Sequence, residues 1–323
     1  MNSIKNLTFK KFTKQIFIIL FILCVTSVAG YSANSQRDEK STEIADGQHL
    51  IKKNKTIRIL AIGNSFSQDA VEQYLYELAE AEGISVVIGN LYIGGCSLTT
   101  HLKNATNDSP AYDYRKIENG SKTKRPKTRL ADAIADEKWD YISLQQVSGN
   151  SGQYETFEES LPGLVDYVKA HATNRKMKLM LHQTWAYAMN STHTAFPSYD
   201  NDQVKMYESL VDAIDRAADL VDIDIIIPSG TAIQNGRTSC IGDHFNRDGY
   251  HLETTYGRYT AACTWFEKIF KKNVTRNSYA PDGVDAYKIE IAKYAAHAAV
   301  KHPGEVTILK KYEAVPDEVG MLE

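Results

Sequence analysis

The chain has 323 residues, of which 43% are hydrophobic and 24% are charged, an ordinary composition for a folded globular protein. Its formal net charge is only -3, so electrostatics gives no reason to expect binding to nucleic acid. These numbers exclude a mostly disordered chain and a strongly basic, nucleic-acid-binding protein.

Residues 1–30 carry the pattern of a secretory signal. The basic head contains four lysines: Lys5, Lys10, Lys11 and Lys14. An apolar run over residues 16–30 follows, shorter than the roughly 20 apolar residues that cross a bilayer. Ser27 and Ala29 fit the minus-three and minus-one positions of a signal-peptidase site. We therefore expect a signal peptide over residues 1–29, with an uncleaved anchor as the alternative. The mature protein is then periplasmic or extracellular and not stably inserted in a membrane.

Residues 30–54 are polar and aperiodic, which predicts a linker, and residues 55–323 read as one α/β domain. Five continuous apolar runs predict strands at 56–63, 85–93, 141–146, 178–184 and 223–228. Segments of helical period predict helices at 69–81, 128–137, 154–172, 202–220, 254–271 and 284–302. Strands that are apolar throughout are typical of a parallel sheet buried on both faces. The alternation therefore predicts a three-layer α/β/α sandwich around a mostly parallel, five-stranded sheet.

An insertion over residues 111–129 interrupts this pattern and holds seven Lys or Arg residues against two acidic residues. Asn119-Gly120 within it is a hairpin-turn signal. One interpretation is a basic rim beside a cleft for an acidic polysaccharide. The alternative, a solvated surface segment, is favoured.

Polar or glycine-rich segments follow all five predicted strands. They are residues 63–67, 94–97, 145–150, 183–187 and 243–251. Ligands of open α/β sheets bind beyond the carboxyl ends of the strands, so this edge is the predicted functional site.

Ser65 lies at the corner between the first predicted strand and the helix that follows it. A serine hydroxyl becomes a nucleophile when an imidazole accepts its proton and a carboxylate orients that imidazole. Backbone N–H groups of Ser65 and Gly95, together with a side-chain amide after the third strand, would stabilise a developing oxyanion.

Three short blocks stand out: Gly63 to Ser67, Gly95, and Asp248 to His251. They resemble blocks of the SGNH (GDSL-type) hydrolases, exported members of which often remove acyl groups from polysaccharides. Gly63-Asn64-Ser65-Phe66-Ser67 is similar to the family's Gly-Asp-Ser-x-Ser block, with Asn in place of Asp, and Gly95 falls on the second-block glycine. Asp248-Gly-Tyr-His251 is similar to the final Asp-x-x-His block, and "RDGYHL…GRYTAACTWFEKIF" resembles a poorly characterised exported branch, a domain of unknown function. The resemblance implies a flavodoxin-like SGNH fold with Ser65 as nucleophile, His251 as base and Asp248 as the residue that orients His251.

The third block departs from the family pattern, Gly-x-Asn-Asp, in which the Asn donates to the oxyanion. Here the sequence reads "SLQQVSGNSG". We expect Gln146 to supply this donor, with Asn150 as the alternative.

Each of these residues also has a structural interpretation. Ser65 alone is a good helix N-cap, and His182, on a predicted strand, is more typical of a satisfied buried polar group. Asn64, Trp185 and Tyr187 are candidate substrate-binding residues, although core packing explains the two aromatic residues equally well. His244, paired with Asp243, is a rival base. Alternatively, these two residues belong to a metal cluster together with Asp248 and His251. We expect no metal and no cofactor.

Three cysteines follow the predicted signal peptide, so at least one thiol is free. Cys96 and Cys240 flank the catalytic blocks and are a candidate disulfide pair. Cys263 lies in a helical segment and is more typical of a buried thiol.

The sequence thus predicts an exported serine esterase that hydrolyses an O-acetyl or other acyl ester of a carbohydrate, acting on a small-molecule or polysaccharide substrate. One alternative is a catalytically inactive carbohydrate-binding protein on the same fold. The other is a lipase-type esterase, for which no apolar lid segment is evident.

Overall fold

The computed structural model describes residues 55–223 and 225–314. The predicted signal peptide, 1–29, and the predicted linker, 30–54, lie outside these residues and remain predictions. Within the two described ranges, no helix is both long and apolar enough to cross a membrane.

A seven-stranded sheet forms the centre of the described residues. Its strands are β1 (Ile57–Gly63), β2 (Val86–Tyr92), β3 (Tyr112–Glu118), β4 (Ser121–Thr128), β5 (Tyr141–Leu144), β6 (Lys178–His182) and β7 (Ile225–Ile227), in the order β4-β3-β2-β1-β5-β6-β7. Strands β2, β1, β5, β6 and β7 pair in parallel and coincide with the five predicted strands. The predicted mostly parallel α/β sandwich is therefore confirmed, but the strand count of five is wrong by two.

The two additional strands are the predicted insertion. Strands β3 and β4 form an antiparallel hairpin whose turn places Asn119 at φ 50° and Gly120 at φ 72°. Two successive positive φ values are those of a type I′ turn, which the Asn-Gly pair adopts readily. On β3 the apolar side chains of Tyr112, Tyr114 and Ile117 are buried, while most of β4 is exposed. The prediction missed both strands because cations fill the solvent-facing positions and hide the strand period.

The positive charge of this hairpin is largely neutralised by the domain itself. Six of the seven cations of residues 111–129 form ion pairs with nearby carboxylates: Arg115, Lys116, Lys122, Lys124, Arg125 and Arg129. The hairpin also forms one edge of the sheet, where lysines and the proline Pro126 discourage pairing with another chain. The favoured interpretation, a solvated surface segment, suits this hairpin better than an acidic-polysaccharide rim.

Helices cover both faces of the sheet. In the described residues they are α1 (Ser65–Val71), α2 (Leu75–Ala81), α3 (Leu98–Thr106), α4 (Leu130–Asp136), α5 (Glu155–Glu158), α6 (Leu161–His171), α7 (Gln203–Val221), α8 (Ser229–Arg237), α9 (Tyr256–Phe270) and α10 (Ala286–Lys301). Side chains of β1 alternate between the two layers. Ile59 packs with the layer that contains α1, α8, α9 and α10, and Leu60 with the layer that contains α3, α4 and α6. Burial on both faces explains why the parallel strands are apolar throughout.

Two histidines are fully buried in these layers. His182 lies on β6, and its ring nitrogens are 2.9 Å from Gln145 Oε1 and 2.9 Å from Ser229 Oγ. His101, on α3, stacks on Tyr112 and has its Nδ1 3.0 Å from the tyrosine hydroxyl. Burial lowers the pKa of each imidazole from 6.5 to about 3, so both are neutral in the folded protein.

We expect the folded protein to lose stability as the pH falls from about 6.5 towards 3. Over this window the unfolded chain binds protons that His101 and His182 cannot bind when folded, so acid favours unfolding. Between pH 7.5 and 5.5 each residue should remove roughly 1.4 kcal/mol from the free energy of unfolding. Urea unfolding at the two pH values measures the loss. His101→Phe keeps the ring stack without the titration, so an unchanged pH dependence in this variant would contradict the assignment.

Candidate active site

The predicted functional residues converge at the carboxyl edge of the sheet. The parallel strands have the order β2-β1-β5-β6-β7, which is the flavodoxin-like order. In such sheets the ligand site lies where the strand order reverses, here between β1 and β5. Ser65 follows β1 directly, so the corner identified in the sequence lies at this switch point.

Local packing fixes the orientation of Ser65. The Asn64 side chain, not Ser65, caps α1 by accepting a hydrogen bond from the Phe66 N–H at 3.0 Å. The hydroxyl of Ser65 is therefore not used as a helix cap. Gly63 is required before it, since a Cβ there would lie 2.7 Å from Ser67 Oγ.

Ser65, His251 and Asp248 form a continuous hydrogen-bonded chain. Ser65 Oγ is 2.8 Å from His251 Nε2, and His251 Nδ1 is 2.7 Å from Asp248 Oδ2. The other carboxylate oxygen of Asp248 accepts the backbone N–H groups of Tyr250 and His251. Partial burial alone would raise the pKa of Asp248, but these hydrogen bonds lower it below its ordinary value. An ionised Asp248 holds the His251 proton on Nδ1 and leaves Nε2 free to accept the proton of Ser65.

Two backbone donors lie beside the serine. Within the described part of the chain, the N–H groups of Ser65 and Gly95 donate to no other group. Both residues line the same cavity, and Gly95 has φ +64°, a conformation that glycine adopts without strain. The Asn64 amide donates to the Cys96 carbonyl at 2.9 Å, which joins the Ser65 corner to the glycine loop. This arrangement suits an oxyanion hole built from two backbone N–H groups.

The third predicted donor, Gln146, is misassigned. Its Oε1 accepts from the N–H groups of Leu98 and Val147, and its Nε2 donates to Thr156 Oγ1 at 3.0 Å. The amide is thus fully engaged away from the serine, and Gln146 does not line the cavity. The alternative, Asn150, lies in a short 3-10 turn and is also not a lining residue.

The two aromatic residues predicted to bind substrate are instead buried and pack beneath residues that line the cavity. Trp185 and Tyr187 are fully buried. Trp185 stacks on Phe66 with ring centroids 4.3 Å apart and donates to the Tyr250 carbonyl at 2.7 Å. The Tyr187 hydroxyl lies 2.8 Å from Ser148 Oγ. Both substrate-binding assignments were wrong, because the segment after β6 turns inward under the catalytic loops.

Ser65 opens into a cavity of about 310 Å³. Its lining residues are Asn64, Ser65, Phe66, Tyr92, Gly94, Gly95, Val147, Ser148, His193, Tyr250 and His251. The predicted substrate-binding residue Asn64 is among them, although only 1% of it is exposed. Sequence inspection singled out neither Tyr92, which is the last residue of β2, nor His193.

A larger depression of about 430 Å³ lies at the opposite edge of the sheet, where β6 and β7 begin. Its lining includes Lys169, Arg175, Lys178 and Ile225. It contains no serine, cysteine or histidine, so the chemistry favours the smaller cavity over the larger one.

A buried carboxylate joins the nucleophile helix to the histidine loop. Asp69 on α1 is 1% exposed, and its two oxygens accept from Arg258 Nε at 2.8 Å, Arg247 Nη1 at 3.1 Å and the Leu252 N–H at 3.0 Å. Arg247 and Leu252 flank the segment that carries Asp248 and His251. Sequence inspection missed this cluster, because its partners lie nearly two hundred residues apart along the chain.

The rival base and metal cluster receives no support from the geometry. Asp243 accepts from Gln203 Nε2 and from the Met189 N–H, both at 2.7 Å, and pairs with Arg237. The Arg237 guanidinium is itself buried, which lowers its pKa to about 10. Asp243 therefore has a structural role, distinct from that of Asp248.

The three cysteines of the described residues are free thiols. Cys96 and Cys240, the candidate disulfide pair, are not bonded to each other, and Cys263 is buried as predicted. Burial raises the pKa of Cys96 to about 12, so its thiol is unreactive despite its place beside the glycine loop.

The family described as "Domain of unknown function (DUF4886)" matches residues 58–299. The crystal structure of a DUF4886 family protein from Bacteroides uniformis ATCC 8492 is 58% identical, with a TM-score of 0.79 over 80% of this chain and 100% of that chain. A provisionally assigned SGNH hydrolase from Slackia heliotrinireducens is 21% identical, with a TM-score of 0.46 over 67% of this chain and 100% of that chain. An acetylxylan esterase from Geobacillus stearothermophilus is 11% identical, with a TM-score of 0.45 over 66% of this chain and 94% of that chain. No curated protein sequence matches this chain. The match over residues 58–299 and the 58% identity together show that the chain belongs to the DUF4886 family.

Proposed function

We propose that the protein is a serine esterase of the SGNH type. The observation that carries this proposal is the hydrogen-bonded chain Ser65–His251–Asp248 at the mouth of a cavity, with two unengaged backbone N–H groups beside the serine. A nucleophile, its base and an orienting carboxylate within hydrogen-bond distance are the requirements of acyl transfer through a covalent intermediate.

The proposed reaction uses these groups in turn. Ser65 Oγ attacks the ester carbonyl carbon while His251 Nε2 takes the hydroxyl proton. The N–H groups of Ser65 and Gly95 donate to the resulting oxyanion. His251 then gives the proton to the departing alcohol oxygen as the ester C–O bond breaks, which leaves an acyl-Ser65. A water molecule then attacks the acyl carbonyl carbon while His251 takes its proton. The bond between the acyl carbon and Ser65 Oγ breaks, which releases the acid, and His251 returns the proton to Ser65 Oγ.

The proposed substrate is a carbohydrate that carries a short acyl ester such as O-acetyl. A cavity of about 310 Å³ has room for a small acyl group and part of a sugar, and its walls include Tyr92 and Tyr250. Tyrosine combines an apolar ring with a polar hydroxyl, a combination suited to sugar faces. Action outside the cytoplasm rests on the predicted signal peptide alone.

A panel of p-nitrophenyl esters tests the proposed activity. We expect kcat/KM for the acetate to exceed that for the octanoate at least tenfold, because an eight-carbon chain does not fit together with the alcohol in this cavity. Initial rates over a concentration series provide the comparison. A preference for octanoate would favour the lipase-type alternative. If no ester is hydrolysed and calorimetry detects glycan binding, the result would favour the inactive binding protein. This alternative is worth testing because the Gln146 amide donates to Thr156 and is not available to an oxyanion.

A further inference from the structure

His193 lies on the cavity wall but takes no part in the proposed proton transfers. It belongs to the segment between β6 and α7 and is one of the residues that line the cavity. Two tyrosines hold its ring, with centroid distances of 4.6 Å to Tyr187 and 4.8 Å to Tyr250. An imidazole fixed in this way presents a defined atom to whatever occupies the cavity.

A backbone contact determines which ring nitrogen carries the proton. His193 Nδ1 lies 3.1 Å from the Ala195 N–H and accepts its hydrogen bond. The proton of the neutral imidazole is then on Nε2. No group in the described ranges accepts from Nε2. Burial lowers the pKa of His193, and the nearby titratable imidazole of His251 lowers it further, against a smaller opposite effect of Asp248. His193 therefore stays a neutral N–H donor.

The position of His193 relative to His251 shows which part of an ester it would meet. His251 returns a proton to the departing alcohol oxygen, so the alcohol part of the substrate must lie on the His251 side of Ser65. Tyr250 links the two histidines, since its ring is 4.3 Å from that of His251 and 4.8 Å from that of His193. The oxyanion donors, by contrast, come from Ser65 and the glycine loop at Gly95.

We propose that His193 Nε2–H donates a hydrogen bond to an oxygen of the alcohol part of the substrate, and thereby helps to select a sugar ester over a simple ester. This inference rests on the proposed esterase function and adds a specificity-determining residue to it. An aryl leaving group offers no hydroxyl or ring oxygen to this donor, whereas a sugar offers several.

The test compares two acetyl esters, p-nitrophenyl acetate and mono-O-acetylated xylo-oligosaccharides, on the wild type and on His193→Phe. His193→Phe keeps an aromatic ring between the tyrosines but has no donor. For the sugar ester we expect KM to rise about tenfold, the effect of losing one hydrogen bond, with kcat changed less than twofold. For p-nitrophenyl acetate we expect both constants to stay within twofold of the wild type.

His193→Gln separates loss of the donor from loss of the Ala195 contact. A glutamine amide nitrogen can reach the place of Nε2, so the KM for the sugar ester should return to within threefold of the wild type. This nitrogen does not accept from the Ala195 N–H as Nδ1 does, so the variant restores the donor without that contact. Met189→Ala changes an exposed side chain of the same segment and should leave both substrates unaffected.

The outcomes distinguish the two proposals. Equal KM values for wild type and His193→Phe on the sugar ester would overturn the role of His193 and leave the esterase intact. The same holds for a loss shared equally by both esters, or for a His193→Gln variant as impaired as His193→Phe. A wild type that cleaves neither ester would overturn the esterase proposal itself. A wild type that cleaves only p-nitrophenyl acetate would overturn the sugar substrate and, with it, this inference.

Discussion

Ser65→Ala should reduce kcat/KM for p-nitrophenyl acetate by about 10⁴- to 10⁶-fold, the usual consequence of removing a catalytic serine. The hydroxyl lies 2.8 Å from His251 Nε2, and the cavity offers no second hydroxyl in contact with that imidazole. The loss corresponds to about 5.5–8 kcal/mol of transition-state stabilisation. The measurement is kcat/KM for p-nitrophenyl acetate. It uses purified variants whose far-ultraviolet circular dichroism spectrum matches that of the wild type.

The three residues should behave as one unit. His251→Ala alone is expected to cost nearly as much as Ser65→Ala, and the double variant should lose little more than either single variant. Ser198→Ala, at an exposed serine that does not line the cavity, serves as the control and should match the wild type. Hydrolysis that survives in Ser65→Ala, or losses that simply multiply in the double variant, would contradict the proposed mechanism.

The parts of the site that the sequence predicted are those fixed by strand topology. Ser65, Gly95 and the loop of Asp248 and His251 were placed at one sheet edge because the carboxyl ends of parallel strands meet there. The structure brings these residues together, with the predicted hydrogen-bond order from serine to histidine to aspartate. Their catalytic roles remain predictions until the variants are measured.

The parts that the sequence did not predict depend on contacts between distant segments. The amide of Gln146 was expected to point into the cavity, but Leu98 and Thr156 orient it elsewhere. Similarly, Trp185 and Tyr187 follow a strand end, yet neighbouring loops cover them completely. A residue's place after a strand predicts the edge of the sheet at which it lies, but the direction of its side chain is decided by tertiary packing.

The hairpin β3–β4 shows the same limit at the level of secondary structure. Its Asn119-Gly120 turn was recognisable, but its strands carry six cations, and the segment was interpreted as a solvated one. Carboxylates from other elements, such as Asp136 and Glu72, supply the partners that make so basic a strand pair tolerable. Those partners are visible only once the chain is folded.

Replacing Asp69 should cause a large loss of stability, because this carboxylate links the helix that follows Ser65 to the loop that carries Asp248 and His251. It is 1% exposed, and it accepts hydrogen bonds from Arg258, Arg247 and the Leu252 N–H. Asp69→Ala leaves two guanidinium groups and a buried N–H without their acceptor. Removing one partner of a buried ion pair typically costs about 3–5 kcal/mol of unfolding free energy. Urea unfolding should show this loss at pH 7.5.

The control for Asp69→Ala is an ion pair that is exposed to solvent. Arg216 and Asp212 form an ion pair within α7, and their side chains are 51% and 65% exposed. Asp212→Ala should therefore change the free energy of unfolding by less than about 0.5 kcal/mol, because exposed ion pairs contribute little. A loss of similar size in both variants would mean that Asp69 is not the buried anchor that its contacts indicate.

Asp69→Asn separates the positioning effect from the effect on folding. The amide keeps an oxygen for the Leu252 N–H but no longer carries the charge that holds Arg247 and Arg258. At a temperature where this variant is fully folded, we expect kcat for p-nitrophenyl acetate to fall about tenfold with KM nearly unchanged. The reason is that small displacements of His251 relative to Ser65 slow proton transfer without altering the rest of the cavity. A purely structural carboxylate would leave kcat per folded molecule at the wild-type value, and that result would restrict Asp69 to stability alone.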